Sequence, residues 1–181
     1  NTGGGNLTVT ASGGSATLDS IVMCGAGLTV SAAFGIVLNG VVNNAGGTST
    51  LTAGTFISDN TAPGTPGLIS ATVAMTAGTS IAGGGPALDL QCVSTLSATA
   101  GDFVDIQNVS TGNLNVSAST TLGALRFEHN GGAGGDLVIL PVIVYPTVFK
   151  ADGVYIALYG TFWETQHRTA IGLAVSADGL N

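Results

Sequence analysis

The chain has 181 residues, of which 45% are hydrophobic, 7% are charged and 29 are glycine, so it is long enough for one domain with a real core and too apolar for a disordered tail. Three basic residues, Arg126, Lys150 and Arg168, stand against ten acidic ones for a net charge of -7, which leaves no cationic surface for a phosphate backbone or an anionic headgroup. Nucleic-acid binding and attraction to membrane surfaces are disfavoured on that ground, and the surface must be covered largely by Thr, Ser, Asn, Gly and backbone.

The opening Asn-Thr-Gly-Gly-Gly-Asn carries neither a basic region nor an apolar stretch, so no secretion signal is expected there. Residues Asn6–Ala11 read as a strand between a flexible triglycine and Gly13-Gly14. Residues 1–14 are therefore expected to form an arm or exchanged strand, with Leu7 and Val9 as the assembly residues that add to a neighbour's sheet edge; the alternative is an ordinary first strand of the chain's own sheet. Residues 15–181 are expected to form a single β-sandwich domain. Residues 21–42 lack charge, but their glycines, Thr29, Ser31 and Asn39 favour two strands around a turn over a membrane span.

Apolar and small polar residues then alternate with the period of half-buried strands at 7–10, 28–31, 68–73, 88–92, 103–107 and 114–117. Breakers such as Gly13-Gly14, Asn39-Gly40, Gly46-Gly47, Pro63-Gly64, Pro66-Gly67, Gly83-Gly84-Gly85-Pro86 and Asp152-Gly153 separate these runs. Asn-Gly and Asp-Gly suit tight hairpin turns, so several of these connections are expected to be hairpins of antiparallel strands. The continuous apolar run 137–145, interrupted by Pro141, predicts a strand covered on both faces with an edge or bulge at the proline. From Leu137 onward the chain holds all three tyrosines and its single tryptophan. The whole predicts an all-β, jelly-roll-like antiparallel sandwich, one domain with an extended N-terminal strand.

Few residues carry chemistry. Cys24 and Cys92 have no zinc-site spacing and sit in apolar contexts that suit buried thiols, although one bridge is also possible. Glu128-His129 and Glu164-Thr165-Gln166-His167-Arg168 are the densest polar clusters, and ion-paired loops account for them better than an acid/base pair or a metal site. Asp102 and Asp105 are three apart in a strand-like run, so they fall on opposite faces and make a poor calcium site, with Asp102 better placed as a turn residue. Sequons occur at Asn6, Asn108 and Asn115. Tyr155, Tyr159 and Trp163 are the candidate interface or ligand contacts, Trp163 above all, because an aromatic platform could stack on sugars. No catalytic residue, cofactor or metal is expected.

Residues 95–118, with Ala100-Gly101-Asp102-Phe103-Val104 feeding a strand and Gly112-Asn113-Leu114-Asn115-Val116 following, resemble the late strands of the C1q/TNF-like trimeric jelly rolls carried by phage fibre and head-decoration proteins. Asp152-Gly153-Val154-Tyr155 is similar to that family's Gly-x-Tyr strand, here following the Ala-Gly-Asp strand rather than preceding it. The resemblance implies a jelly roll and a tendency to trimerise. Together these features predict a non-enzymatic structural subunit of an extracellular assembly, a capsid decoration, cement or fibre protein on a virion surface. It would associate with itself as a trimer or polymer, and with capsid or fibre proteins. The alternatives are a filament or pilus subunit joined by donor strands, and a carbohydrate-binding adhesin.

Overall fold

A strand whose alternate side chains are Leu, Val and Ala on one side and Thr or Ser on the other must bury the first set, and a chain can do so by coiling successive strands over a shared interior. The computed structural model describes residues 4–82, 85–111 and 114–129, together with the backbone of 144–151, 154–163 and 168–176. Its strands in chain order are β1 (Leu7–Ala11), β2 (Ala16–Leu18), β3 (Ile21–Val22), β4 (Gly27–Ala32), β5 (Gly35–Leu38), β6 (Val42–Ala53), β7 (Phe56–Asp59), β8 (Leu68–Ala77), β9 (Ser80–Ile81), β10 (Leu88–Ala100), β11 (Phe103–Asn108), β12 (Asn115–Thr120), β13 (Leu125–His129), β14 (Val144–Ala151), β15 (Val154–Trp163) and β16 (Arg168–Ser176). The chain divides into two compact units, Asn1–Ile139 and Leu140–Asn181.

The first unit is a parallel β-solenoid. Every strand pairing described in it is parallel, and each strand lies against its counterpart one coil away in sequence. One face stacks β1, β4, the second half of β6, the second half of β8, the second half of β10, and β12. A second face stacks β2, β5, β7, β9, β11 and β13. A short third side runs from β3 through the first residues of β6, β8 and β10. The long strands β6, β8 and β10 turn the corner between the third side and the first face, which is where register shifts fall, between Asn44 and Thr48 and between Cys92 and Thr95.

This corrects the expected fold: the unit is all-β, but it is neither a jelly roll nor an antiparallel sandwich. The alternation that marks a strand with one buried face is the same in either architecture, whereas the pairing is decided by the connection that leaves each strand. Here the glycine-rich connections are corners that lead to the next side of a coil, rather than hairpins that fold a strand back on its neighbour. Antiparallel pairing is found only in the second unit among the described residues, where β15 lies between β14 and β16, with Ala151 opposite Val154 and Trp163 opposite Arg168. Most of the apolar run 137–145, including Pro141, lies outside the described residues.

In-register columns fill the solenoid interior. On the first face Leu7, Leu28, Ser49, Val73, Leu96 and Val116 form one column, and Val9, Val30, Leu51, Met75, Ala98 and Ala118 the next. Ile36, Ile57, Ile81, Val104 and Leu125 line the second face from inside. The middle members of these columns are fully buried. At about 25 cal/mol per Å² of apolar surface removed from water, these stacked aliphatic columns are the main stabilising term of the unit.

Coil spacing also dictates residue choice at the corner after the first face. A Cβ on Gly54, Gly78 or Gly101 would lie 2.1, 2.0 or 2.2 Å from the carbonyl oxygen of Ala33, Gly54 or Gly78 respectively. Each coil's corner carbonyl thus occupies the space where the next coil would carry a side chain. Alanine or larger cannot be seated there without moving backbone.

Candidate functional surface

The outward side of the first face is its most regular feature. One outward column reads Thr8, Thr29, Thr50, Ala74, Ser97 and Ser117, and its neighbour reads Thr10, Ser31, Thr52, Thr76, Thr99 and Ser119. A third column adds Thr48, Thr72, Thr95 and Asn115 above Gly27. Eleven of the twelve positions in the first two columns carry a hydroxyl, Ala74 being the exception, and most are solvent-exposed. The strands pair here without a register shift, so the hydroxyl-bearing residues form a lattice whose backbone positions are spaced about 4.8 Å between adjacent strands and about 6.7 Å along each strand. Thr99 and Ser119 are close enough to share a hydrogen bond at 3.3 Å.

Charge is kept off this face. Among the described residues of the first unit Asp19, Asp59, Asp89, Asp102, Asp105, Arg126 and Glu128 all lie on the other two sides or at corners. Asp105 and Arg126 face each other across β11 and β13, with Arg126 Nη1 3.1 and 3.2 Å from the two carboxylate oxygens, and Arg126 also donates to Glu128. Burial raises the Asp105 carboxyl above its ordinary value, and the guanidinium opposes that shift. Arg126 and Glu128 thus form an ion-paired cluster at the edge of a strand. His129 belongs to a structural contact as well: its Nδ1 is 3.1 Å from Asn108 Nδ2, and its ring stacks on Phe127 at a centroid distance of 6.4 Å.

Two further carboxylates clamp a loop. Asp59 takes the inward position in register with Leu38, and its carboxylate accepts the Thr61 N–H at 2.8 Å and the Asp89 N–H at 3.2 Å. Asp89 accepts the Gly64 N–H at 2.7 Å, while the Gly67 N–H donates to the Asp89 carbonyl at 2.8 Å. A Cβ at Gly67 would meet both Asp59 oxygens at 2.7 Å, so any larger residue there would push the Asp59 carboxylate out of its place in the clamp. Burial pushes the Asp89 carboxyl up, the Gly64 N–H opposes this and the Asp59 charge adds to it. Both carboxylates are thus engaged by loop backbone, and no group of three potential metal-ligating side chains occurs among the described residues.

Polar side chains also line one interior corner, where they replace backbone pairing lost at the register shifts. Asn44 Nδ2 donates to the Ala26 carbonyl at 2.9 Å and lies 3.2 Å from Ser49 Oγ, which in turn bonds Ser70 Oγ at 3.1 Å. One coil further on, Asn108 receives the Cys92 N–H at 2.7 Å and donates to the Cys92 carbonyl at 3.0 Å. Asn108 is fully buried, so this sequon is not an acceptor in the folded chain, whereas Asn6 and Asn115 are exposed.

The sequence-derived candidates separate. Leu7 and Val9 are half-buried in β1 and pair in parallel with Leu28 and Val30 of their own chain. Tyr155, Tyr159 and Trp163 lie on β15, opposite Ser176, Gly172 and Arg168, and their side chains lie outside the described residues, as does the segment 164–167. No disulfide joins the cysteines: Cys92 is buried, with Sγ 3.2 Å from the Thr95 carbonyl, but Cys24 is exposed, against the expectation of two buried thiols. Asp102 sits at a corner, where its N–H donates to Thr79 at 2.7 Å. No helix among the described residues is long and apolar enough to cross a membrane.

Sequence reasoning missed the hydroxyl lattice, although Leu7-Thr8-Val9-Thr10-Ala11 and Leu28-Thr29-Val30-Ser31-Ala32 recur 21 residues apart and carry its signal. Comparison of the chain with protein-family models, curated proteins and solved structures finds no match.

Proposed function

We propose that this chain is a non-enzymatic structural subunit of an extracellular assembly, with its solenoid serving as a stiff fibre segment on a virion surface. The observation that carries this reading is the uninterrupted stacking of in-register columns through the coils. A stack in which each coil contacts only its neighbours gains length and stiffness with every repeat, which is the property a spacer or fibre needs. The scarcity of charge and the use of Asp59, Asp89, Asp105 and Arg126 in internal clamps and ion pairs support a role in architecture rather than in turnover.

Immunogold labelling of virions and of producing cells with an antibody to this chain tests the proposal. Label on virion fibres supports it. Label on cell-surface filaments moves the assembly from virus to cell and selects the filament alternative, and label confined to the cytosol overturns the extracellular reading altogether.

A further inference from the structure

We infer that the hydroxyl-bearing outer side of the first face is an ice-binding surface. The inference is independent of where the protein is assembled. It begins from the lattice: threonine and serine residues recur in register on strands about 4.8 Å apart and at every second position, about 6.7 Å, along each strand. Both are comparable to the repeats on which water molecules are ordered in ice. Threonine presents a methyl group beside its hydroxyl and is stiff about χ1, so the seven threonines of the two full columns hold these groups in few orientations before any ligand arrives.

Three observations narrow the occupant. The face carries no charged residue over six coils, although the remaining sides and corners hold every charged group described in the unit. A neutral lattice suits an uncharged solid, and a charged side chain would hold its own hydration shell against it. Second, five coil spacings by two column spacings give a flat footprint of roughly 320 Å², less than half of what each partner contributes to a stable protein interface, so the face is small for a stable contact with a second copy or another protein. Third, the three columns contain no aromatic residue, and aromatic rings are the usual platform for stacking sugars. Ice needs neither a large hydrophobic interface nor rings. It needs many weak, simultaneous contacts in register, which this face repeats coil after coil.

The test uses the whole chain in a nanolitre osmometer, with ice-crystal shape recorded between melting and freezing. The wild-type protein is expected to facet ice and to open a gap between the melting and freezing temperatures. Thr52→Lys, in the third of the six coils and exposed on this face, is expected to need at least tenfold more protein for the same gap. Thr17→Lys, exposed on β2 of the second face, is expected to match wild type. Far-UV circular dichroism of both variants establishes that they are folded. Absence of faceting and of a gap for the wild-type protein at millimolar concentration overturns the inference whatever the variants do. Equal activity of Thr52→Lys and wild type overturns the assignment to this face. Retention on microcrystalline cellulose, without any effect on ice, overturns it in favour of a neutral glycan.

Discussion

Replacing Gly78 by alanine asks whether the corner between coils is as tight as the stack requires. The added Cβ would sit 2.0 Å from the Gly54 carbonyl oxygen, and both partners are backbone, so neither can rotate away. Reaching even 3.0 Å demands a displacement of about 1 Å where adjacent strands are only about 4.8 Å apart. That shift strains the hydrogen bonds from the Gly78 N–H to Ala53 at 3.1 Å and from the Thr79 N–H to Thr55 at 2.7 Å. Overpacking of this kind costs about 1–3 kcal/mol, and one weakened backbone bond adds about 1 kcal/mol. Reduced freedom of the unfolded chain returns about 0.4–1 kcal/mol, leaving a net loss of about 1–4 kcal/mol. Gly13→Ala is the matched control, since nothing lies within 4 Å of its Cβ and its backbone is not left-handed. Urea denaturation followed by far-UV circular dichroism, with hydrogen exchange of the Gly78 and Thr79 amides, measures the difference. If Gly78→Ala unfolds at the same urea concentration as Gly13→Ala, the coils are not packed as described and the reasoning fails.

The same packing sets the outcome of other substitutions. Leu51→Ala empties a fully buried column position and is expected to cost about 2–5 kcal/mol by urea denaturation. Asn108→Ala leaves the buried Cys92 N–H and carbonyl without that side chain, for an expected loss of about 2–4 kcal/mol, with faster hydrogen exchange at Cys92 as the local readout. The Asp89 and Asp105 carboxyls are both raised above 3.8, so the folded chain takes up these protons before the unfolded chain does. Stability from these two groups therefore increases as pH falls from neutral toward the ordinary carboxylate range and is lost again as pH rises through the raised values. Asp89→Asn should flatten that part of the profile of urea midpoint against pH. An unchanged slope would show that the clamp over loop 60–67 is not the titrating feature.

Strand positions were legible because alternation reports burial directly: Leu28, Val30, Leu68, Leu90, Val104 and Ile106 are all buried where the pattern put them. Pairing was not legible, since alternation says which side of a strand faces the core and nothing about which strand lies beside it. Asn39-Gly40 reads as a hairpin turn, but the chain continues from β5 into β6, and Asn39 instead donates to Asp19 of the coil before at 2.9 Å. Ala100-Gly101-Asp102-Phe103 reads as a turn into a strand, which it is. Its meaning lies in the recurrence of Ala-Gly at 53–54 and 77–78, which marks one corner of successive coils. The buried polar set Asn44, Ser49, Ser70 and Asn108 had no sequence signal, because its role depends on where a long strand bends.

The parallel stack itself can be measured with spin labels on the outer column of the first face, in a Cys24→Ser background that leaves only the buried Cys92. Labels at Thr10 and Thr99 are separated by four coil steps, and labels at Thr10 and Ser119 by five. Pulsed electron paramagnetic resonance should give separations centred near roughly 19 and 24 Å, differing by the single strand spacing of about 4.8 Å. Two distances that do not increase by one spacing, or that fit strands running in opposite directions, would contradict the solenoid and the hydroxyl lattice built upon it.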